Sequence, residues 1–260
     1  MLEAVKIFLL AVLQGVAEFL PVSSSGHLAI ASRALHFSGM GPRTEIALHF
    51  GTLIALLVYY RRQIAAIITG VFAGRRDGWI AAGMLVAGCI PAAVAYLLFG
   101  DAIESAFGGS YRFIGAMLMV TGLALLSLRI RNRGGNGKIT WWRALAIGAA
   151  QAVALLPGIS RSGSTIVCAR HLGVSPKNSA DYSFLVSLPL LAGATLLSVV
   201  HPQEAAGAEG SGWGLLIPAA AVAAVVGYFS IRFLMRVLAG PKFWYFGVYC
   251  LAAGLALLCA

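Results

Sequence analysis

Long apolar stretches dominate this sequence and constrain its fold more than any other feature. Six of them could cross a membrane, lying roughly at residues 46–60, 79–99, 113–128, 182–200, 215–234 and 244–258. The chain is 60% hydrophobic and only 11% charged, whereas soluble domains carry about 25% charged residues. A membrane β-barrel would instead show short segments of alternating hydrophobicity. We therefore predict an all-α integral membrane protein with about six transmembrane helices, forming one membrane domain over residues 1–260.

Two further segments, at about residues 1–36 and 140–175, are apolar but interrupted by Pro, Gly, Ser and charged residues. Irregular backbone persists at membrane depth only where protein or a water-filled cavity satisfies its polar groups. These segments are poor spanning helices, so we predict that both are re-entrant helical segments.

The net charge of +10 comes from basic residues that lie between the apolar stretches. Most of them form three clusters: Arg61, Arg62, Arg75 and Arg76; Arg129, Arg131, Arg133, Lys138 and Arg143; and Arg232, Arg236 and Lys242. Lys6, Arg33 and Arg43 are exceptions, which this scheme places on the outer side. Clusters of this kind mark cytoplasmic loops, and no nucleic-acid partner is expected. Each cluster is separated from the next by an even number of crossings, so both termini are predicted on the outer, periplasmic side. The acidic connections "GDAIESAF" and "HPQEAAGAEGSGW" agree with this orientation.

Two pairs of similar segments indicate an internal repeat. "GAMLMVTGLALL" from Gly115 matches "GVYCLAAGLALL" from Gly247, and "QGVAEFLPVSSSG" from Gln14 resembles "QAVALLPGISRSG" from Gln151. Each half, about 1–130 and 138–260, then holds one broken segment and three crossings. Three is odd, so the second copy enters the membrane inverted, and polar sites in such repeats form where the halves meet.

The first broken segment carries the polar groups of a candidate site. Gln14 and Glu18 are four residues apart, so on a helix they share one face and could hold a cation or a water. Pro21 is expected to end that helix. Ser23, Ser24, Ser25, Gly26 and His27 follow it. A carboxylate, hydroxyls and an imidazole are the groups of nucleophilic or metal-assisted attack.

The second broken segment, "PGISRSGST" at residues 157–165, supplies donors. Its hydroxyls and backbone N–H groups could bind an oxyanion, and the guanidinium of Arg161 suits phosphate. Its candidate phosphate-binding residues are Ser160, Ser162, Gly163 and Thr165. An arginine at membrane depth costs about 2.5–3.5 kcal/mol on insertion scales, so we expect an anion beside Arg161, either Glu18 or a bound phosphate.

Structural alternatives remain open for several of these residues. Ser-rich turns also serve helix packing in membranes, and Glu18 with Arg161 could form a purely structural ion pair. His49 lies on an apolar face, where packing and chemistry are both compatible with the sequence. Glu45, at the outer end of the first crossing, is equally ambiguous.

The motifs "QGVAEFLPVSSSGHL" and "PGISRSGST" resemble the two signature motifs of the bacterial undecaprenyl-diphosphate phosphatases, also called the bacitracin-resistance family. The resemblance covers essentially the whole chain, including "EIALHFGTLIALLVYYRR", "ADYSFLVSLPLLAGAT" and the final "FWYFGVYCLAAGLALL".

The resemblance implies hydrolysis of undecaprenyl diphosphate to undecaprenyl phosphate and inorganic phosphate in the bacterial inner membrane, which recycles the lipid carrier for cell-wall synthesis. It also implies a divalent cation, magnesium or calcium, on the E/Q-x-x-x-E element, here Gln14 and Glu18. Carried over, Ser24 is the nucleophile or phosphate positioner, His27 the general acid/base and Arg161 the phosphate clamp. Whether Ser24, His27 or water attacks is left open.

Three further expectations concern function and assembly. The inverted repeat also suits a polyprenyl-phosphate transporter or flippase. The acid-phosphatase-like lipid phosphatases are excluded, because the His they need six residues after the Arg is here Val167. The site should open to the periplasm, and membrane lipid and a second copy of the chain, forming a homodimer, are the expected partners besides the substrate.

Overall fold

The structure is a computed structural model that describes residues 2–37, 41–108, 110–130, 135–200, 212–238, 240 and 242–259. These residues form ten helices. The first half contains α1 (Leu2–Ala17), α2 (Ser24–Ala34), α3 (Pro42–Phe72), α4 (Arg76–Phe107) and α5 (Tyr111–Ile130). The second half contains α6 (Trp141–Val153), α7 (Arg161–His171), α8 (Pro176–Val200), α9 (Trp213–Leu238) and α10 (Tyr245–Cys259). Apart from one isolated bridge between Gly137 and Val174, no β-structure occurs in these ranges, which confirms the all-α prediction.

Four helices, α3, α4, α5 and α9, are long and apolar enough to cross a membrane. Large apolar side chains such as Leu97 on α4 and Phe72 on α3 remain 82% and 88% exposed, as expected of surfaces that face lipid. The other two predicted crossings correspond to α8 and α10, and the 15 residues of α10 span about 22 Å at 1.5 Å per residue. The chain is a multi-pass membrane protein, and the count of six crossings stays a prediction.

Both broken segments fold as a helix, a turn and a second helix, and a proline sets each break. Proline lacks an N–H and its ring clashes with the carbonyl four residues earlier, so it disfavours a continuous helix. Proline alone is not sufficient, since Pro91, Pro189 and Pro218 lie inside α4, α8 and α9. Pro21 lies four residues after Ala17, where α1 ends, and Pro157 lies four residues after Val153, where α6 ends. The breaks therefore come earlier than the prolines themselves.

The connection "GDAIESAF", predicted to lie between two crossings, is helical, since α4 continues through it to Phe107. Phe99 alone departs from helical geometry there, with φ −129° and ψ 16°. Most of the other predicted outer connection, at residues 201–211, lies outside the described residues, as do Arg131 and Arg133 of the second basic cluster.

Helices α5 and α10 pack against each other at glycines of the repeated "GAMLMVTGLALL" and "GVYCLAAGLALL" segments. A Cβ on Gly115 would come within 2.8 Å of the Gly254 carbonyl oxygen, and one on Gly122 within 2.8 Å of the Gly247 carbonyl oxygen. Small residues permit such close backbone approach between membrane helices. The inverted relation between residues 1–130 and 138–260 stays a prediction.

Phe19 anchors the first turn inside the helix bundle. Its side chain is fully buried and meets Phe184 of α8 edge to face, with ring centroids 5.7 Å apart. A Cβ on Gly227 of α9 would come within 2.7 Å of the Phe19 ring, so α9 leaves just enough room for it. The anchored phenyl ring fixes the neighbouring Glu18 in place.

Candidate active site

The first turn, at residues 18–23, ends in a strained cap. Ser23 has φ 71°, a left-handed conformation that costs a non-glycine residue about 1–3 kcal/mol. Its Oγ accepts a hydrogen bond from the Gly26 N–H at 3.4 Å and caps α2. Ser24 and Ser25 therefore begin a helix whose free N–H groups and positive dipole end favour an anion.

The second turn, at residues 154–160, is fastened to α5 by Thr121. The Thr121 Oγ1 donates to the Gly158 carbonyl at 3.3 Å and accepts from the Ser160 N–H at 3.1 Å. Gly158 has φ 93°, and a Cβ there would come within 2.6 Å of the Ile114 carbonyl oxygen, so only glycine fits. Ser160 Oγ accepts from the Gly163 N–H at 3.1 Å and caps α7.

The two turns meet, as their sequences predict. Arg161 donates to Glu18 Oε1 and forms an ion pair with it. Ser162 Oγ donates to the Leu20 carbonyl at 3.2 Å, and the Gly158 N–H donates to Ser25 Oγ at 3.5 Å. The expectation of an anion beside Arg161 is confirmed in the form of Glu18.

The Glu18 carboxylate is the centre of the hydrogen-bond network. It is 7% exposed, and besides the guanidinium it accepts from Ser24 Oγ at 2.7 Å and from Gln14 Nε2 at 3.1 Å, both on Oε2. A buried carboxylate is stable when its charge is paired and its oxygens are hydrogen-bonded. The predicted shared face of Gln14 and Glu18 is thus confirmed.

A cavity of about 440 Å³ opens beside this network. Its polar lining comprises Glu18, Ser23, Ser24, Ser25, Glu45, His49, Gln151, Ser160, Arg161 and Thr195, and apolar side chains such as Ile46, Phe107 and Leu190 complete the wall. A pocket with this mixture suits a ligand with an anionic head and an apolar tail.

Six of the residues predicted for the site do not line this cavity. Five of them are buried outside its lining: Gln14, Gly26, Ser162, Gly163 and Thr165. Thr165 Oγ1 there bonds with Ser183 Oγ of α8. His27 also lies outside: Nδ1 is 2.8 Å from the Ser23 carbonyl oxygen, and Nε2 is 2.6 Å from the Tyr249 hydroxyl of α10.

Two cavity residues, Glu45 and His49, were left ambiguous by the sequence. They are four residues apart on α3, the spacing already noted for Gln14 and Glu18, and His49 Nδ1 is 3.0 Å from Gln14 Nε2. A polar i, i+4 pair in a largely apolar stretch of α3 is a signal that could have placed them in the site.

The expected magnesium or calcium ion would need ligand atoms from the side chains of the site. Among the described residues no three His, Cys, Asp or Glu side chains are grouped to hold a metal ion. Gln14 Oε1, however, is buried without a hydrogen-bond partner, while Nε2 of the same amide contacts Glu18. Magnesium commonly takes one or two protein oxygens and completes its shell with water and substrate phosphates, and these residues fit a cation held in that way.

The helices and the joined turns define a multi-pass helical membrane protein with a polar site built from two broken segments. The chain belongs to the family described as bacitracin resistance protein BacA, which it matches over residues 7–256. It is 40% identical to an undecaprenyl-diphosphatase of Syntrophotalea carbinolica, over 95% of this chain and 94% of that protein. It is 37% identical to the one of Trichlorobacter lovleyi (96% and 94% covered) and 36% identical to undecaprenyl-diphosphatase 1 of Bacillus licheniformis (99% and 98% covered).

Proposed function

We propose that this protein hydrolyses undecaprenyl diphosphate to undecaprenyl phosphate and inorganic phosphate. The observation that carries the proposal is the Glu18–Arg161 ion pair, because it brings both motifs to one cavity together with Ser24. The undecaprenyl-diphosphatases to which the chain is similar along nearly its whole length support the same activity.

Phosphoryl transfer depends on positioning and charge neutralisation more than on covalent chemistry. Arg161 lines the cavity with its guanidinium partly exposed, so it can grip the terminal phosphate while Glu18 holds its orientation. The N-terminal turn of α2 offers backbone donors to the same phosphate. The apolar wall around Ile46 and Leu190 would receive the first isoprenyl units.

Ser24 is the side chain best placed to attack. Its hydroxyl donates to Glu18 Oε2 at 2.7 Å, so the carboxylate can accept the proton as Oγ bonds to the terminal phosphorus. The bond from that phosphorus to the bridging oxygen breaks, undecaprenyl phosphate leaves, and water then hydrolyses the phosphoserine. If water attacks directly instead, Ser24 and Glu18 position it and no phosphoserine forms.

His27 takes a positioning role in this scheme, because it contacts Ser23 and Tyr249 and not the cavity. It ties the strained Ser23 turn to α10 and thereby holds Ser24 in register.

A magnesium or calcium ion would be held chiefly by Glu18 and the diphosphate, and when bound it would neutralise charge on the phosphate oxygens. The Gln14 variant of the element lacks one anionic ligand, so the cation would bind more tightly with substrate than without it.

We further propose that the protein resides in the inner membrane with its cavity open to the periplasm. The cavity is lined by the first turns of α3 and the last turns of α4 and α8. These ends lie away from the clusters at Arg61 and Arg75, which the positive-inside rule assigns to the cytoplasm.

Phosphate release from a C15 or C55 prenyl diphosphate by purified protein in detergent tests the activity, with and without a chelator. Hydrolysis in detergent needs no membrane sidedness, whereas flipping does, so release there separates the phosphatase from a transporter. Arg161→Lys keeps the charge but loses the two-pronged fork and should lower release strongly. Arg62→Lys, on the far half of α3, is the matched control and should leave it unchanged. Absence of release by the wild-type protein, with and without added cation, would refute the proposal.

A further inference from the structure

The amide of Gln14 has only one orientation compatible with its neighbours. Its Nε2 lies 3.1 Å from Glu18 Oε2, and Glu18 is ion-paired with Arg161. A carboxylate in such a pair offers only acceptor atoms. The amide must therefore turn its NH₂ group, and not its oxygen, toward Glu18.

This orientation decides which nitrogen of His49 carries the proton. The same Gln14 Nε2 lies 3.0 Å from His49 Nδ1, and the NH₂ group has a second hydrogen to donate. His49 Nδ1 is then the acceptor, and in a neutral imidazole the proton resides on Nε2. The His49 ring lines the cavity, and the described residues give its Nε2 no hydrogen-bond partner.

From this geometry we propose that His49 binds the substrate by donating a hydrogen bond from Nε2 to a phosphate oxygen of the prenyl diphosphate, with its tautomer fixed by Gln14. The inference rests on the proposed function and extends its site to α3. His49 then supplies an N–H donor on the cavity wall that Arg161 also lines, and the Arg161 guanidinium is already shared with Glu18. From the sequence alone, a packing role and a chemical role for His49 were both possible.

Steady-state kinetics on a prenyl diphosphate test the donor. A lost hydrogen bond to a charged group corresponds to about 10-fold or more in kcat/KM, so His49→Leu should lose that much, chiefly through KM. His49→Gln retains a side-chain N–H donor and should recover most of the loss. His171→Leu is the control, since His171 bonds to Ser127 of α5 away from the cavity, and it should not change KM. An unchanged KM in His49→Leu, or no recovery in His49→Gln, overturns the inference.

Imidazole ¹⁵N chemical shifts test the tautomer without any turnover. Substrate-free wild-type protein should show a His49 signal with a hydrogen on Nε2 and a lone pair on Nδ1, assigned by its absence in His49→Leu. Gln14→Glu should remove this signature, because a carboxylate offers no donor to Nδ1. A wild-type signal with the proton on Nδ1 overturns the inference even if the enzyme is active. If instead the wild type shows the expected signal but releases no phosphate, the proposed function fails and the tautomer assignment stands.

Discussion

Replacing Arg161 with Gln separates the structural role of the ion pair from its role in binding phosphate. The Glu18 side chain is 5% exposed and that of Arg161 is 20% exposed, so the change leaves a buried carboxylate without its counter-charge. Two unit charges about 4 Å apart attract by about 4 kcal/mol at an effective dielectric constant of about 20. The donors on Ser24 and Gln14 remain and offset part of this loss. We expect Arg161→Gln to lower the free energy of unfolding by about 2–4 kcal/mol, near the lower end for breaking a buried pair.

The double variant Glu18→Gln, Arg161→Gln removes both charges and should return to within about 1 kcal/mol of the wild-type stability, because no unpaired charge stays buried. Phosphate release should be absent in Arg161→Gln and in the double variant alike, because both lack the guanidinium that binds phosphate. Reversible SDS titration in mixed micelles, followed by circular dichroism, gives the four free energies of a double-mutant cycle. If the two single changes add to the double change within about 0.5 kcal/mol, the pair contributes no coupling and the reasoning fails.

Three more predictions concern the turns. Ser24→Ala should lower kcat for phosphate release by about 100-fold or more, and acid-quenched wild-type protein should carry phosphate on this serine; ordinary turnover in Ser24→Ala would exclude its role. His27→Ala should lower kcat, and Tyr249→Phe should lower it by a smaller factor, because the second change removes only the 2.6 Å hydrogen bond to the imidazole. Full activity in both variants would contradict the positioning role of His27. Gly158→Ala should lower the melting temperature, because φ at Gly158 is 93° and an added Cβ would collide with α5. Gly193→Ala is the control and should not lower it, because no atom lies within 4 Å of the added Cβ. Equal melting temperatures for the two variants would contradict the packing described for the second turn.

Local sequence chemistry was enough to predict the breaks and the polar pair of the first motif. Pro21 and Pro157 each remove a backbone donor and clash with the preceding turn. The Gly, Ser and charged residues beside them distinguish these prolines from Pro91, Pro189 and Pro218, which lie inside helices. Gln14 and Glu18 share a face because helical geometry places residues four apart together. The partner of Arg161 was narrowed to Glu18 or a phosphate by the cost of an unpaired charge at membrane depth.

Local sequence could not predict which residues line the cavity. His27 belongs to the first motif, yet the contact with Tyr249, 222 residues away in sequence, directs its ring outside the cavity. His49 belongs to neither motif and enters the cavity because α3 packs beside α1. Thr121 fastens the second turn from α5, and nothing in its local sequence indicates that role.

The sequence by itself determined the membrane setting, the positions of the helices and broken segments, and the residue types that can bind phosphate, because hydropathy, proline geometry and charge cost act over a few neighbouring residues. Only the tertiary structure decided which of those residues share one cavity, which nitrogen of His49 faces Gln14, and that Glu18 is the anion paired with Arg161. Those outcomes depend on distances between helices far apart in the chain. They are set by how Phe19, Gly158 and the small residues of the crossing helices allow the bundle to close.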